Sequence, residues 1–261
     1  MIDLWQRIHS SVLALTFSDA SGRITSGSGF KIGEYLVTNN HVIQVPRATH
    51  VQIRSVAVDS YTPVLDLTLT YAQFRATFVE GDPETSWDFA VMRLASSEFA
   101  ALPSLELGDD EPIEVGMPIA LFGYQFDQPQ QSMHLGYLSS QYYRAGVHYL
   151  QLDSSVNHGN SGGPLVDIRT GRVIGVVTRK ATGLTTQFEQ LMQAFGQNIS
   201  DLQQLRQGGY VTVGGLDPVA ATIAIQEQLR RLAIEISRSA NVGIGYAYHI
   251  AKVRECLSHY V

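Results

Sequence analysis

Residues 156–165 read Val-Asn-His-Gly-Asn-Ser-Gly-Gly-Pro-Leu. Glycines at 159, 162 and 163 crowd a single serine, Ser161. An ordinary loop serine has no use for them. Glycine lets a backbone take positive φ and turn its N–H groups inward. It also lets a second main chain come close. Strand-like runs lie on both sides, Tyr149–Leu152 and Arg172–Val177. The stretch therefore reads as a tight loop that presents a hydroxyl. The N–H groups of Gly159 and Ser161 then point at one spot beside it, where a tetrahedral intermediate carries its negative oxygen.

A serine hydroxyl is a weak nucleophile until a base takes its proton. Upstream, Thr38-Asn39-Asn40-His41-Val42 follows the apolar strand Tyr35-Leu36-Val37, and Asp88 opens the apolar run Phe89–Leu94. We read Ser161 as nucleophile, His41 as its base and Asp88 as the acid that holds the base. The order His, Asp, Ser is that of chymotrypsin and differs from the subtilisin and α/β-hydrolase orders. His158 is a rival base, but it shares the loop of Ser161 and cannot easily face Oγ. It is expected to touch substrate instead. Asp59, Asp66 and Asp82 are weaker candidates for the acid, because none opens an apolar strand in the same way. The remaining histidines lack paired metal spacing, so no metal and no other cofactor is expected.

Five motifs in order carry a family resemblance: Gly27-Ser28-Gly29-Phe30, Thr38-Asn39-Asn40-His41-Val42, Asp88-Phe89-Ala90-Val91, Gly159-Asn160-Ser161-Gly162-Gly163-Pro164 and Gly243-Ile244-Gly245-Tyr246. Over roughly residues 8–181 and 241–255 the chain resembles the chymotrypsin-fold serine peptidases, most of all their disulfide-free HtrA-type branch. The resemblance implies a serine endopeptidase acting on peptides or proteins, with an oxyanion hole at Gly159, Asn160 and Ser161. It puts Ser155 at the base of the primary specificity pocket. Ser155 is not acidic, so a small or apolar residue is expected there rather than Arg or Lys. Thr178, Arg179 and Lys180 would pair with the substrate backbone as an added strand. Asn160 stands where zymogen-type relatives carry an aspartate that pairs with a newly cut N-terminus, so that switch is not expected. No PDZ module is expected after Val261, and so no regulation by one in cis. An idle, peptide-binding scaffold of the same fold is the alternative.

Several short strands between turns signal an all-β sandwich or barrel, and the resemblance selects the barrel. The expected fold is mainly β: two six-stranded-type β-barrels, over residues 1–100 and over 101–181 with 241–261, the second ending in a helix. Val64–Val79 is expected to form two strands or one bent one. Ala101–Gly116, with Asp109, Asp110, Glu111 and Glu114, reads as a solvated linker. Thr186–Gln207 departs from the family. Phe188, Leu191, Met192, Phe195, Ile199, Leu202 and Leu205 recur at helical spacing. Thr186 with Glu189 forms a capping-box pattern. Asp217-Pro218 starts a second helix, with Ile225, Leu229, Leu232 and Ile236 on its apolar face. Residues 182–240 thus form an inserted helical hairpin, either packed on its own barrel or serving a protein regulator or self-association.

With 44% hydrophobic and 16% charged residues, the chain is of ordinary globular composition. A net charge of −6 gives no footing for nucleic acid. No apolar run is long enough to span a bilayer, so no membrane partner is expected. Cys256 is the only cysteine. It reads as a small buried hydrophobe in a helix-like tail. One cysteine forbids an internal disulfide, and the N-terminus does not read as a signal peptide, so a cytoplasmic protein is expected.

Overall fold

A computed structural model describes residues 2–108, 112–126, 128–180, 186–209, 212–239 and 243–260. The chain divides into two compact units, residues 1–180 with 243–261, and residues 181–242.

The larger unit opens with α1 (Ile2–Ile8) and a 3-10 turn (His9–Ser11). Seven strands follow: β1 (Val12–Asp19), β2 (Gly22–Ile32), β3 (Tyr35–Thr38), β4 (His50–Val56), β5 (Pro63–Thr70), β6 (Phe78–Asp82) and β7 (Phe89–Arg93). Two short helices interrupt them, α2 (Asn40–Ile43) and α3 (Tyr71–Ala76), and α4 (Ser97–Ala101) follows β7. The strands form one antiparallel sheet in the order β5-β4-β1-β2-β3-β7-β6. The second half contains β8 (Pro118–Gly123), β9 (Ser132–Arg144), β10 (Val147–Leu152), β11 (Pro164–Asp167), β12 (Val173–Lys180) and β13 (Gly245–His249), closed in the order β10-β13-β12-β11-β8-β9. α7 (Ala251–Ser258) follows. The mainly β, chymotrypsin-like expectation is met, with one difference in detail. The second half is a closed six-stranded barrel, whereas the first is a seven-stranded sheet whose end strands β5 and β6 do not pair.

Alternation along the strands divides the apolar residues among three cores. Leu13, Leu15 and Phe17 of β1 face a core inside the first sheet with Ile53, Phe74 and Met92. Ile119, Leu121, Leu138, Leu150, Leu165 and Val177 fill the barrel. A third core lies between the two halves: Phe30, Val37 and Val91 meet Phe122, Val166 and Val176, with Val253, Cys256 and Leu257 of α7. Burial pushes the Cys256 thiol up to about 12, as suits a packed, unreactive cysteine.

The segment expected to be strand throughout, Val64–Val79, contains α3. Thr70 and Gln73 form a full capping box there, side chain to backbone in both directions. Phe74 drops from this helix into the core, edge-on to Phe17. Four residues that fold as β11, Pro164–Asp167, were not separated from the serine loop by their pattern. Asp109, Asp110 and Glu111 of the expected linker lie outside the described residues.

The smaller unit is two helices, α5 (Thr186–Gln207) and α6 (Pro218–Ser239). Asp217 caps α6, accepting the N–H groups of Val219 and Ala220 at 3.0 Å each. Its other oxygen accepts Arg206 Nε at 3.0 Å, which ties the two helices at the turn. Thr186 is already helical, so the cap expected of it falls beside residues outside the described ones. No helix among the described residues is long and apolar enough to cross a membrane.

Candidate active site

β3 ends at Thr38 and the chain turns into α2, whose Val42 and Ile43 are buried. That turn fixes His41 at the edge of the first sheet. Gly27 makes the approach possible: a Cβ there would meet Val42 Cγ1 at 2.5 Å. Asp88 precedes β7 in a left-handed conformation, φ +45°. A non-glycine residue adopts this only when its surroundings impose it, at a cost of about 1–3 kcal/mol. The surroundings here are plain. Its N–H donates to Pro83 O at 3.2 Å, and its own carbonyl accepts Asn39 Nδ2 at 2.8 Å.

The Asp88 carboxylate is fully buried and accepts three hydrogen bonds. Oδ1 takes the backbone N–H of His41 at 3.0 Å. Oδ2 takes His41 Nδ1–H at 2.7 Å and Thr178 Oγ1–H at 3.2 Å. An ionised carboxylate can only accept, so Nδ1 carries the ring proton and Nε2 is left with its lone pair. Burial alone would lower the pKa of His41. The hydrogen bond and charge of Asp88, with Glu84, outweigh it, and the imidazole titrates above its ordinary value. Its side chain keeps 31% exposure, so one edge remains open.

Ser161 sits in a loop clamped from both halves. Its carbonyl accepts Ser28 N–H of β2 at 2.8 Å, and Ser28 Oγ donates to Gly159 O at 2.7 Å. The N–H of Gly162 donates to Val177 O of β12 at 2.8 Å. Gly159 and Gly162 have φ of +95° and +87°, and a Cβ on either would fall 2.1 Å from a carbonyl oxygen, that of Tyr124 or of Ser28. Both positions therefore require glycine.

Two peptide planes set the donors. The His158 carbonyl accepts Phe126 N–H at 2.7 Å, and the Asn160 carbonyl accepts Gly163 N–H at 3.0 Å. In a trans peptide the N–H points opposite to its carbonyl. The N–H groups of Gly159 and Ser161 thus point away from those partners, and neither donates to another described residue. Asn160 differs, because its N–H donates to Asn157 O at 3.1 Å. That removes Asn160 from the expected set of oxyanion donors. Its fully buried side-chain amide has no partner among the described residues.

The hydroxyl of Ser161 donates to Thr178 O at 2.6 Å and makes no hydrogen bond to His41. Thr178 has both roles because the pairing of β12 with β13 slips between Val177 and Arg179. A bulge re-aims the residue it leaves over. Here it sends the Thr178 side chain to Asp88 and the carbonyl to Ser161.

Of the residues expected to meet substrate, Ser155 is half-buried and His158 is exposed. Arg179 and Lys180 pair through their backbones with Tyr246 and Gly245, and their side chains lie outside the described ones. Sequence reasoning missed three contributors. Ser28 was visible only as the residue between two glycines. Asn39 was visible only as a neighbour of His41. Gln125, which accepts Asn157 Nδ2 at 2.9 Å and so braces the serine loop, left no signal. Among the described residues, no group of three or more His, Cys, Asp or Glu could hold a metal ion.

The two-half β architecture, with this site between its halves, defines a chymotrypsin-like protein. Residues 20–176, more than half of the chain, match the family model for the trypsin-like peptidase domain, and the chain belongs to that family. It is 32% identical over 165 residues to a probable periplasmic serine endoprotease, DegP-like, of Chlamydia pneumoniae, covering 60% of this chain and 29% of the relative. It is likewise 32% identical over 176 residues to the mitochondrial serine protease HTRA2 of Bos taurus, covering 64% and 34%. Among solved structures, the HtrA-type protease AlgW with tripeptide aligns with a TM-score of 0.52 and 26% identity, over 68% of this chain and 54% of that one. The chain spans about a third of the length of these curated relatives. Their names place them in the periplasm and the mitochondrion, which points away from the cytoplasmic expectation. That expectation leaned on the single cysteine and on an N-terminus that does not read as a signal peptide. A domain of this size buries enough surface to fold without disulfides, so its cysteine count does not report a compartment.

Proposed function

We propose that the protein is a serine endopeptidase in which His41, Asp88 and Ser161 act as one unit. The observation that carries this is the buried Asp88 carboxylate, 2.7 Å from His41 Nδ1. Ser161 Oγ attacks the scissile carbonyl and its proton passes to His41 Nε2. The imidazolium gives that proton to the leaving amine. Water then attacks the acyl-enzyme, with His41 again as base. The unclaimed N–H groups of Gly159 and Ser161 hold the oxyanion, and one such donor is worth about 2.7–4 kcal/mol in the transition state. Thr178, Arg179 and Lys180 pair with substrate backbone. His158 lies on the exposed side of the loop, and Ser155 sets a preference for a small or apolar side chain.

The measurement that tests this is hydrolysis of a peptide library by the chain and by Ser161→Ala. Cleavage after small or apolar residues, abolished in the variant, is expected. Equal cleavage by both would overturn the assignment.

A second reading has its own support, since Ser161 Oγ rests on Thr178 O rather than on His41. The site is then idle, or held until something engages residues 182–240. Removing those residues raises turnover in a held enzyme. Unchanged turnover in that deletion counts against regulation through the hairpin.

A further inference from the structure

Helix α6 carries two apolar stripes. One, with Val219, Ile223 and Ile234, is partly buried in the smaller unit. The other is Ile225, Leu229, Leu232 and Ile236, exposed at 55%, 44%, 57% and 54%. A helix that only packed on α5 would need the first stripe alone.

The second stripe has two properties of a coiled-coil seam that pairs with itself. Its steps are four, three and four residues, the alternation of a heptad a/d seam. It is also the same read in either direction: Ile, Leu, Leu, Ile. When two α6 helices lie antiparallel about a two-fold axis, Ile225 meets Ile236 of the second copy and Leu229 meets Leu232. All four contacts are then aliphatic. A two-fold interface requires a surface that matches itself in this way. The flanking positions agree. Antiparallel helices bring like flanks together, so Gln226 faces Ala233 and Gln228 faces Glu235. No like charges meet, and Arg230 and Arg231 project away from the seam.

We infer that α6 is a self-association surface whose partner is α6 of a second copy of this chain, in antiparallel register. This narrows the self-association expected of residues 182–240, and it is independent of the peptidase reading. The stripe spans about 17 Å at about 1.5 Å per residue. Lasting interfaces bury about 1,200 Å² or more, and one seam of this length falls short. The dimer therefore dissociates on dilution.

The test is sedimentation velocity on the full chain carrying Ser161→Ala, from about 1 to 300 µM, so that self-cleavage cannot affect the mass. A monomer–dimer equilibrium is expected. Leu229→Glu and Leu232→Lys should each weaken it tenfold or more, with unchanged helicity by circular dichroism. Mixing the two variants should restore dimer, because antiparallel register sets Glu against Lys on one side and Leu against Leu on the other. A chain that stays monomeric throughout overturns the inference. So does a dimer indifferent to both variants, which would use another surface. If the variants lower the melting temperature without changing the mass, the stripe packs on the chain's own barrel and the inference fails. If the variants separate but the mixture does not re-associate, the antiparallel register is wrong.

Discussion

Removing a carboxylate such as Asp88 from water costs several kcal/mol unless hydrogen bonds replace the lost solvent. Three donors do so here, and two of them belong to His41. The same contacts raise the pKa of His41, which gives a signed prediction. A general base must be neutral, so kcat/KM should fall as pH drops through a pKa above the ordinary histidine value. Asp88→Asn removes the charge. The acid limb of the pH–rate profile should then move to lower pH, with kcat down by about 10⁴, the loss seen in the protease template. An unmoved limb would separate His41 from the chemistry. Gly159→Ala tests the donors: its Cβ has no room beside the Tyr124 carbonyl, and kcat should fall about 10²–10³-fold, as for loss of one oxyanion contact. These residues were legible because their chemistry needs rare neighbours, glycines around a serine and an acid opening an apolar strand. Thr178 was only half legible. It was expected to pair with substrate backbone; that a bulge also turns its side chain to Asp88 is a matter of register that no local pattern displays.

Among the elements, α3 shows how a correct signal can be overridden. Val64–Val79 is rich in β-formers, and its apolar content argues for strand. Yet Thr70 and Gln73 close a capping box, and Phe74 gains a fully buried place in the first core. The cap and the burial together outweigh propensity. Phe74→Ala should destabilise the protein by about 3–5 kcal/mol, the usual cost of emptying an aromatic core site. Denaturant unfolding measures it, and a loss below 1 kcal/mol would mean that α3 does not anchor this core. The hairpin was readable at the start of α6, because Asp217-Pro218 is a strong local start signal and its cap forms as expected.

At the scale of the molecule, the order of five short motifs was enough to read a chymotrypsin-like architecture. The strand count of the first half was not readable, because closure depends on whether β5 and β6 meet, a pairing remote in sequence. What joins the halves is specific. Ser28 of the first sheet holds the loop of Ser161, Thr178 of the barrel holds Asp88, and a shared apolar core lies behind them. Neither half alone contains His41, Asp88 and Ser161 together. The most direct test of the account is therefore labelling by a fluorophosphonate, which reacts only with a serine made nucleophilic by its surroundings. The account predicts one adduct, mapped by mass spectrometry to Ser161, absent from Ser161→Ala and from His41→Ala, and faster as pH rises through the pKa of His41. A chain that takes no label under any condition, or labels equally without His41, would contradict it.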